Sequence, residues 1–164
     1  MNEVVIREGK SEDIVWIQII YNQGIKDRIA TLETELKDLS YMKDWLEKHT
    51  GRYQVIVAEN NNQIVGWASL NVYNPREAYC GVADLSIYIH RDYRAKGIGG
   101  KLLDSIEMIA RKNKFHKIVL STFVFNKIGQ SLYRSKGYRE VGVYKNQGIL
   151  EGQFIDVMAM EKLL

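Results

Sequence analysis

The stretch VADLSIYIHRDYRAKGIGGKLL, residues 82–103, decides how the rest of the chain is read. Its first half alternates and is rich in β-branched and aromatic residues, which predicts a strand over residues 81–90. A short polar turn follows. Then comes Arg94-Ala95-Lys96-Gly97-Ile98-Gly99-Gly100, and after it an apolar pattern at helical spacing. Glycine has no Cβ, so the backbone there can come close to a ligand. The first amides of a helix have no internal partners and sit at the positive end of its dipole. Strand, glycine-rich turn and helix start, in that order, make a place for phosphate, and the backbone of residues 95–100 is the expected cradle for a pyrophosphate. A G-x-G alone also fits a plain strand-to-helix turn. The stretch is not a Walker loop, because G-x-x-x-x-G-K-[ST] is absent. It is a poor dinucleotide fingerprint, because the third glycine would fall at Leu102.

The chain has 164 residues, of which 46% are apolar, enough for one domain with a real core spanning residues 1–164. The formal charge of +3 is modest and both signs are mixed along the chain. That is not a nucleic-acid signal, though it suits an anionic cofactor. The lone cysteine, Cys80, excludes an internal disulfide framework and a multi-cysteine zinc site, and is expected to be a buried, inert thiol. His49, His90 and His116 have no ligand-spaced partners, so no metal site is expected and His90 is expected only to end its strand. The N-terminal residues are polar with one short apolar run, and no apolar stretch is long enough to cross a bilayer. The expectation is a soluble cytoplasmic protein with no membrane partner.

Residues 4–7 read as a first strand. Ser11 is the expected cap of a helix carrying Ile14, Ile17, Ile20 and Tyr21 to about Gln23. Ser40 is the expected cap of a second, with Met42, Trp45 and Leu46 on its apolar face. Residues 53–59 and 63–72 flank an Asn-Asn-Asn turn as a hairpin. After the strand at 81–90, a helix is expected over 99–114 with Leu102, Leu103, Ile106, Ile109 and Ala110 on its core face. A strand follows at 117–125, then a helix opened by Asn126 and stopped near Gly137. Residues 138–144 and 154–160 read as two strands around a polar loop. The order β-α-α-β-β-β-α-β-α-β-β predicts an α/β fold: a mixed sheet flanked by helices.

The pattern [QR]-x-x-G-x-[GA], matched by Arg94, Gly97 and Gly99, resembles the acetyl-CoA loop of the GCN5-related N-acetyltransferases, whose order of elements the chain also follows. Further stretches resemble the phosphinothricin acetyltransferase branch. Ile20-Tyr21-Asn22 is similar to its I-Y-N, and residues 30–35, ATLETE, to its T-A-x-F-x-T-E-P segment, which brings in Leu32 and Thr34. Residues 75–79, PREAY, resemble P-R-x-A-Y, residues 84–90 resemble E-H-S-V-Y-V-H, and residues 148–157 resemble G-K-L-D-G-R-W-L-D-V. The chain departs from the branch where Asp84 stands for Glu, Gln147 for a frequent His, and Gly129 for the Ser of N-x-x-S-x-x-L.

The resemblance implies an acyl-CoA N-acyltransferase fold and an acetyl-CoA-dependent transfer, with no metal, by direct attack of the amine of a small amino acid or analogue such as phosphinothricin or methionine sulfoximine. It also implies a homodimer. Acetyl transfer needs the thioester held, the amine neutral, the carbonyl polarised and the departing thiolate protonated. By resemblance, the backbone of Ile87, Tyr88 and Ile89 serves the pantetheine arm; as side chains Ile87 and Ile89 also read as core. Asp84 is the candidate base, because a carboxylate in an apolar strand has a raised pKa if poorly solvated. Its shorter side chain favours a water relay, and the alternative is a carboxylate satisfied by an Arg or a backbone amide. Tyr133 falls where the superfamily often places a Tyr facing the sulfur, or it is a packed helix aromatic. Asn126 caps its helix, with or without a bond to the cofactor. Arg76 and Tyr79 face an anionic acceptor or solvent, and by resemblance Leu32, Thr34 and Gln147 are also expected on the acceptor side. Rival functions are acetylation of a protein N-terminus or lysine, and a non-catalytic acyl-CoA-binding module.

Overall fold

The computed structural model describes residues 2–164. In chain order the elements are β1 (Val5–Glu8), α1 (Ile14–Asp27), α2 (Leu39–Lys48), β2 (Val55–Asn60), β3 (Gln63–Val72), β4 (Val82–Ile89), α3 (Ile98–Lys112), β5 (Lys117–Phe123), α4 (Lys127–Ser135), β6 (Arg139–Leu150) and β7 (Gln153–Leu163). The expected order of elements is the observed one. The strands form one sheet, β1-β2-β3-β4-β5-β7-β6. No helix among the described residues is long and apolar enough to cross a membrane.

All neighbouring strands are antiparallel except β4 and β5. That parallel pairing covers only Val82↔Lys117, Ala83↔Ile118 and Asp84↔Val119. Both strands continue, β4 to Ile89 and β5 to Phe123, but beyond Asp84 they part. On its other edge β4 stays on β3 as far as Ile89↔Gly66.

The two faces of β4 meet different helices. Ala83, Leu85, Ile87 and Ile89 pack in the cluster that holds Ile98, Leu102, Leu103, Ile106 and Ala110 of α3. Tyr88 packs on the opposite face with Ile17, Ile20, Met42 and Trp67, under α1 and α2. Side chains alternate along a strand, so Asp84 and Ser86 share the face of Tyr88. The acid predicted as base therefore lies on the α1/α2 side.

Several local expectations are corrected. Ser11 does not cap the first helix. It opens a 3-10 turn, Ser11–Asp13, held by Asp13, whose carboxylate accepts from the Lys10 amide at 2.8 Å and pairs with Arg7 at 2.8 Å. Helix α1 runs past Gln23 to Asp27 and stops where Arg28 turns left-handed. Gly24 belongs inside it because α1 crosses β4 there: a Cβ would lie 2.9 Å from the Tyr88 ring. Ser40 sits within α2, and Asp38 is the cap, its Oδ1 accepting from the Tyr41 amide at 2.8 Å. The polar loop expected near the C-terminus is mostly strand. β6 and β7 meet in a turn at Glu151 and Gly152, both with positive φ, and the polar residues 145–147 form a bulge between the pairs Tyr144↔Val157 and Gly148↔Ile155. Cys80 is exposed, not buried, because it follows the 3-10 turn Glu77–Tyr79 on the surface.

The contact between Gly24 and Tyr88 sets how closely α1 lies on the sheet. Gly24→Val is expected to lower the melting temperature by roughly 3–10 °C through overpacking. In a Tyr88→Ala background the same change should cost much less, which a double-mutant thermal series reads directly.

Candidate active site

A cleft of about 460 Å³ opens where β4 and β5 part. One wall is the end of β4, with Ile87, Tyr88 and Ile89. Another is the turn into α3, with Arg94, Ala95, Gly97, Ile98, Gly99 and Gly100. Asn126, Gly129, Leu132 and Tyr133 of α4 and its cap close the far side, and Gly24, Ile29 and Ala30 the near one. The sequence placed nearly all of the predicted cofactor residues here. The exception is Lys96, whose ammonium donates to the Asp92 carbonyl at 3.0 Å and lies over the Tyr93 ring, on a separate surface notch.

The turn meets the requirements of a phosphate cradle. Ala95 and Gly97 both have positive φ, 59° and 81°, and nothing lies within 4 Å of where a Gly97 Cβ would stand. No amide from Ala95 to Gly100 donates to a protein acceptor among the described residues. Left-handed turns of this kind, followed by a helix start, aim successive N–H groups at one spot. The turn is anchored from behind. Arg91 and Arg94 both pair with Asp27 at the end of α1, at 2.6 and 2.8 Å. Burial pushes the Asp27 carboxyl up, but the guanidiniums of Arg94 and Arg91 outweigh it and hold the group below its usual range. The Arg94 side chain is thus a structural strap beside the cleft.

The open edge of β4 is more selective than the resemblance implies. The His90 amide donates to the Val65 carbonyl at 2.9 Å, which fixes the alternation along the strand. Tyr88 therefore turns its N–H and C=O toward β3, and Ile87 and Ile89 turn theirs toward the gap. The Ile89 carbonyl accepts from Arg94 Nε at 3.3 Å. Among the described residues nothing pairs with the backbone groups of Ile87 or with the Ile89 amide on this edge. Tyr88 contributes its ring, packed edge-on to Tyr21 at 5.0 Å between centroids.

Asp84 lies at the last paired position before the strands part and does not itself line the cleft. Burial pushes its carboxyl up to about 6, against one hydrogen bond from Asn71 Nδ2 at 3.2 Å. No Arg, Lys or His pairs with it among the described residues, which removes the ion-paired alternative. Tyr133 is half-buried on the cleft wall, its hydroxyl without a protein hydrogen-bond partner among the described residues, and burial pushes it up to about 12. Asn126 caps α4 through Oδ1, which accepts from the Gly129 amide at 3.0 Å. At Gly129 a Cβ would stand 2.6 Å from Asn126 Nδ2, so a side chain there requires the Asn126 amide to shift.

The residues expected at the acceptor are not gathered in one pocket. Leu32 packs on Gly148, whose Cβ would meet it at 2.6 Å, and joins Phe123, Leu150, Ile155 and Val157. It ties the α1–α2 connection to the β6–β7 hairpin. Thr34, Arg76 and Gln147 are exposed, and Tyr79 pairs its ring with Tyr73 at 5.6 Å. Three polar neighbours of Asp84 escaped sequence reasoning: Asn71, Ser86 and, behind Asn71, His49. Asn71 faces Asp84 only through the β3–β4 register, which no local pattern shows.

Comparison with known proteins bears on this geometry. Residues 17–138 match the model of the acetyltransferase (GNAT) family. The chain is 26% identical over 166 residues to a phosphinothricin N-acetyltransferase of Streptomyces coelicolor, covering 99% of this chain and 97% of the relative. The structure of a ribosomal-protein-alanine N-acetyltransferase from Brucella melitensis is similar with a TM-score of 0.95 and 32% identity, over 98% and 99% of the two chains. A Salmonella typhimurium protein solved with its cofactor acetyl-CoA is similar with a TM-score of 0.95 and 26% identity, over 99% and 95%. With the family model spanning most of its length and the cleft in place, the chain belongs to the GNAT family of acetyltransferases and is an N-acetyltransferase that uses acetyl-CoA.

Proposed function

We propose that the enzyme acetylates the amine of a small amino acid or amino-acid analogue, of the phosphinothricin or methionine sulfoximine type, by direct attack on acetyl-CoA held in the cleft. The observation that carries this reading is the pairing of a run of unpartnered amides at Ala95–Gly100 with a poorly solvated carboxylate at the point where β4 and β5 part. Acetyl-CoA supplies an acyl group activated on sulfur. The cradle amides hold its diphosphate, and the free backbone groups of Ile87 and Ile89 line up the arm and polarise the carbonyl. Asp84 removes the proton from the acceptor amine. Its position outside the cleft wall and its short side chain route that proton through a water. The Tyr133 hydroxyl keeps its proton at neutral pH and gives it to the departing sulfur. Asn126 supports that wall.

On the acceptor side, the exposed Arg76 guanidinium, the paired rings of Tyr73 and Tyr79, Leu32, Thr34 and Gln147 border the approach to Asp84 in this reading. A homodimer is part of it too. It is supported by β6, an edge strand with Val141, Tyr144 and Ile149 exposed, and by Phe154 opposite Ile149 on β7. The identity to the Brucella melitensis enzyme favours a second reading, acetylation of a peptide N-terminus.

A panel assay of CoA release separates the two readings. Phosphinothricin, methionine sulfoximine and free amino acids are expected to exceed peptides with N-terminal alanine by at least about tenfold in kcat/KM, a preference of the size single pocket contacts produce. The reverse order selects the peptide reading.

Asp84→Asn is expected to lower kcat about 10²–10⁴-fold and to abolish an acid limb near pH 6, with KM for acetyl-CoA nearly unchanged. The same variant should be more stable at high pH. The folded carboxyl sits above its ordinary value of 3.8, so the native state binds the proton more tightly than the unfolded chain. That contribution is present at low pH and lost as pH rises through about 6, leaving a buried charge that Asn removes. Thermal melts should rise by about 2–5 °C at pH 8 and stay level at pH 4.

A further inference from the structure

The cations of the phosphate turn itself are engaged elsewhere. Arg91 and Arg94 pair with Asp27 behind it, and the Lys96 ammonium is turned onto the Asp92 carbonyl. Another cation is delivered from α4. Gly99 and Gly100 leave the first turn of α3 bare, and α4 packs onto it: a Cβ on Gly99 would stand 2.8 Å from Leu132 Cδ2. Lys136 follows Leu132 by four residues, so it continues the same face at the end of α4. Its side chain fills the place that a side chain on residue 100 would take. A Gly100 Cβ would lie 3.3 Å from Lys136 Cε and 3.6 Å from its Nζ. The backbone of Lys136 is fixed there. Its carbonyl accepts from Lys162 Nζ at 2.7 Å, and that ammonium also pairs with Glu107 of α3 at 2.6 Å.

A cation beside the first turn of a helix opposes that helix's dipole, which favours an anion there. Here it is balanced by Asp104, one turn further along α3, whose Oδ2 lies 2.8 Å from Lys136 Nζ. With that partner the ammonium stays off the cleft wall, which includes its neighbours Gly100, Leu132 and Tyr133. The pair is open to solvent: the two side chains keep 28% and 60% of their surface exposed. Ion pairs so exposed hold weakly, and a doubly charged diphosphate is a stronger partner than one carboxylate. The lysine stem is flexible, and Gly100, over which it lies, carries the last amide of the cradle.

From this we infer that Lys136 is a cofactor-binding residue: its ammonium leaves Asp104 for the diphosphate of acetyl-CoA and adds a side-chain charge to the main-chain cradle. The inference rests on residues 95–100 being that cradle. The alternative is a lysine that only straps α4 to α3 through Asp104. The two roles give removal of Asp104 opposite effects, because the first frees the ammonium and the second breaks the strap.

Titration calorimetry of the full chain with CoA separates them. Lys136→Gln is expected to raise Kd about 5–30-fold, and Lys136→Arg to recover most of the loss. Asp104→Asn should lower Kd about 2–5-fold. Lys101→Gln removes the same charge from the position after Gly100 and should stay within about twofold, as solvent screening dictates for a charge without contact. Dephospho-CoA keeps the diphosphate but lacks the ribose phosphate, and should lose as much as CoA on Lys136→Gln. S-acetylpantetheine has neither, so its kcat/KM with the best acceptor of the panel should stay within about twofold. Weaker binding with Asp104→Asn as well as Lys136→Gln would make the lysine a strap. An equal loss with Lys101→Gln would make its effect one of overall charge. A loss confined to CoA would move the contact to the ribose phosphate, and a loss shared by S-acetylpantetheine would mean a disturbed cleft. Each of these overturns the inference. Gly97→Val tests the cradle separately, because a φ of 81° strains any side chain there. If it weakens CoA binding while Lys136→Gln does not, the inference fails and the cradle stands. If it leaves CoA binding intact, the cradle fails and the inference with it.

Discussion

The structure depends on a parallel pairing that is broken off early. β4 and β5 share only the register from Val82↔Lys117 to Asp84↔Val119, and then each follows a different neighbour. β5 stays on β7 and β4 stays on β3, so the sheet opens without losing either half. An opened strand leaves backbone donors and acceptors without partners, and buried ones cannot stay so. Here Arg94 Nε takes the Ile89 carbonyl, and the remaining groups of Ile87 and Ile89 face a cleft. The candidate site is thus the place where the sheet's own hydrogen bonding was left incomplete. α3 and α4 are set so that their first turns border the same space.

Electrostatics on the two sides of this opening follow opposite logic. At the proposed cofactor cradle an anion meets main-chain amides and a helix start, while the nearby arginines, Arg91 and Arg94, are paired with Asp27. Those side-chain cations hold the turn. Around Asp84, the proposed base, the described residues supply one amide donor and no cation, and burial raises its proton affinity. Such an arrangement costs folding stability at neutral pH and keeps the group ready to exchange a proton.

How much of this was legible in the sequence divides along a physical line. Features encoded by near neighbours were readable: the alternation of β4, the periodic face of α3, the glycine turn, and the Asn126 cap. Caps between competing polar residues were not: Asp13 is favoured over Ser11 by its pair with Arg7 of β1, and Asp38 and Ser40 are both capping residues that the local pattern does not separate. The part of the β6–β7 hairpin between residues 144 and 154 was read as loop because its polar stretch is a bulge on an edge strand, where alternation fails. Within the candidate site, the part of the cleft wall from Ile87 to Gly100 was legible since it is contiguous in sequence. Asn71 and His49 were not, since they reach Asp84 across strand register and from a helix far off in the chain. Tyr88 was assigned a backbone role that the pairing phase with β3 denies it, and that phase is invisible without the register.

The alternation of β4 has a further consequence for traffic. The sheet acts as a septum with a slit where β4 and β5 separate. α3 and its phosphate turn stand on one side, while α1, α2 and the column Asp84, Asn71, His49 stand on the other. In the proposed direct transfer, this slit is where an amine on one face reaches a thioester held on the other. On that reading no acylated side chain is needed to carry the group across.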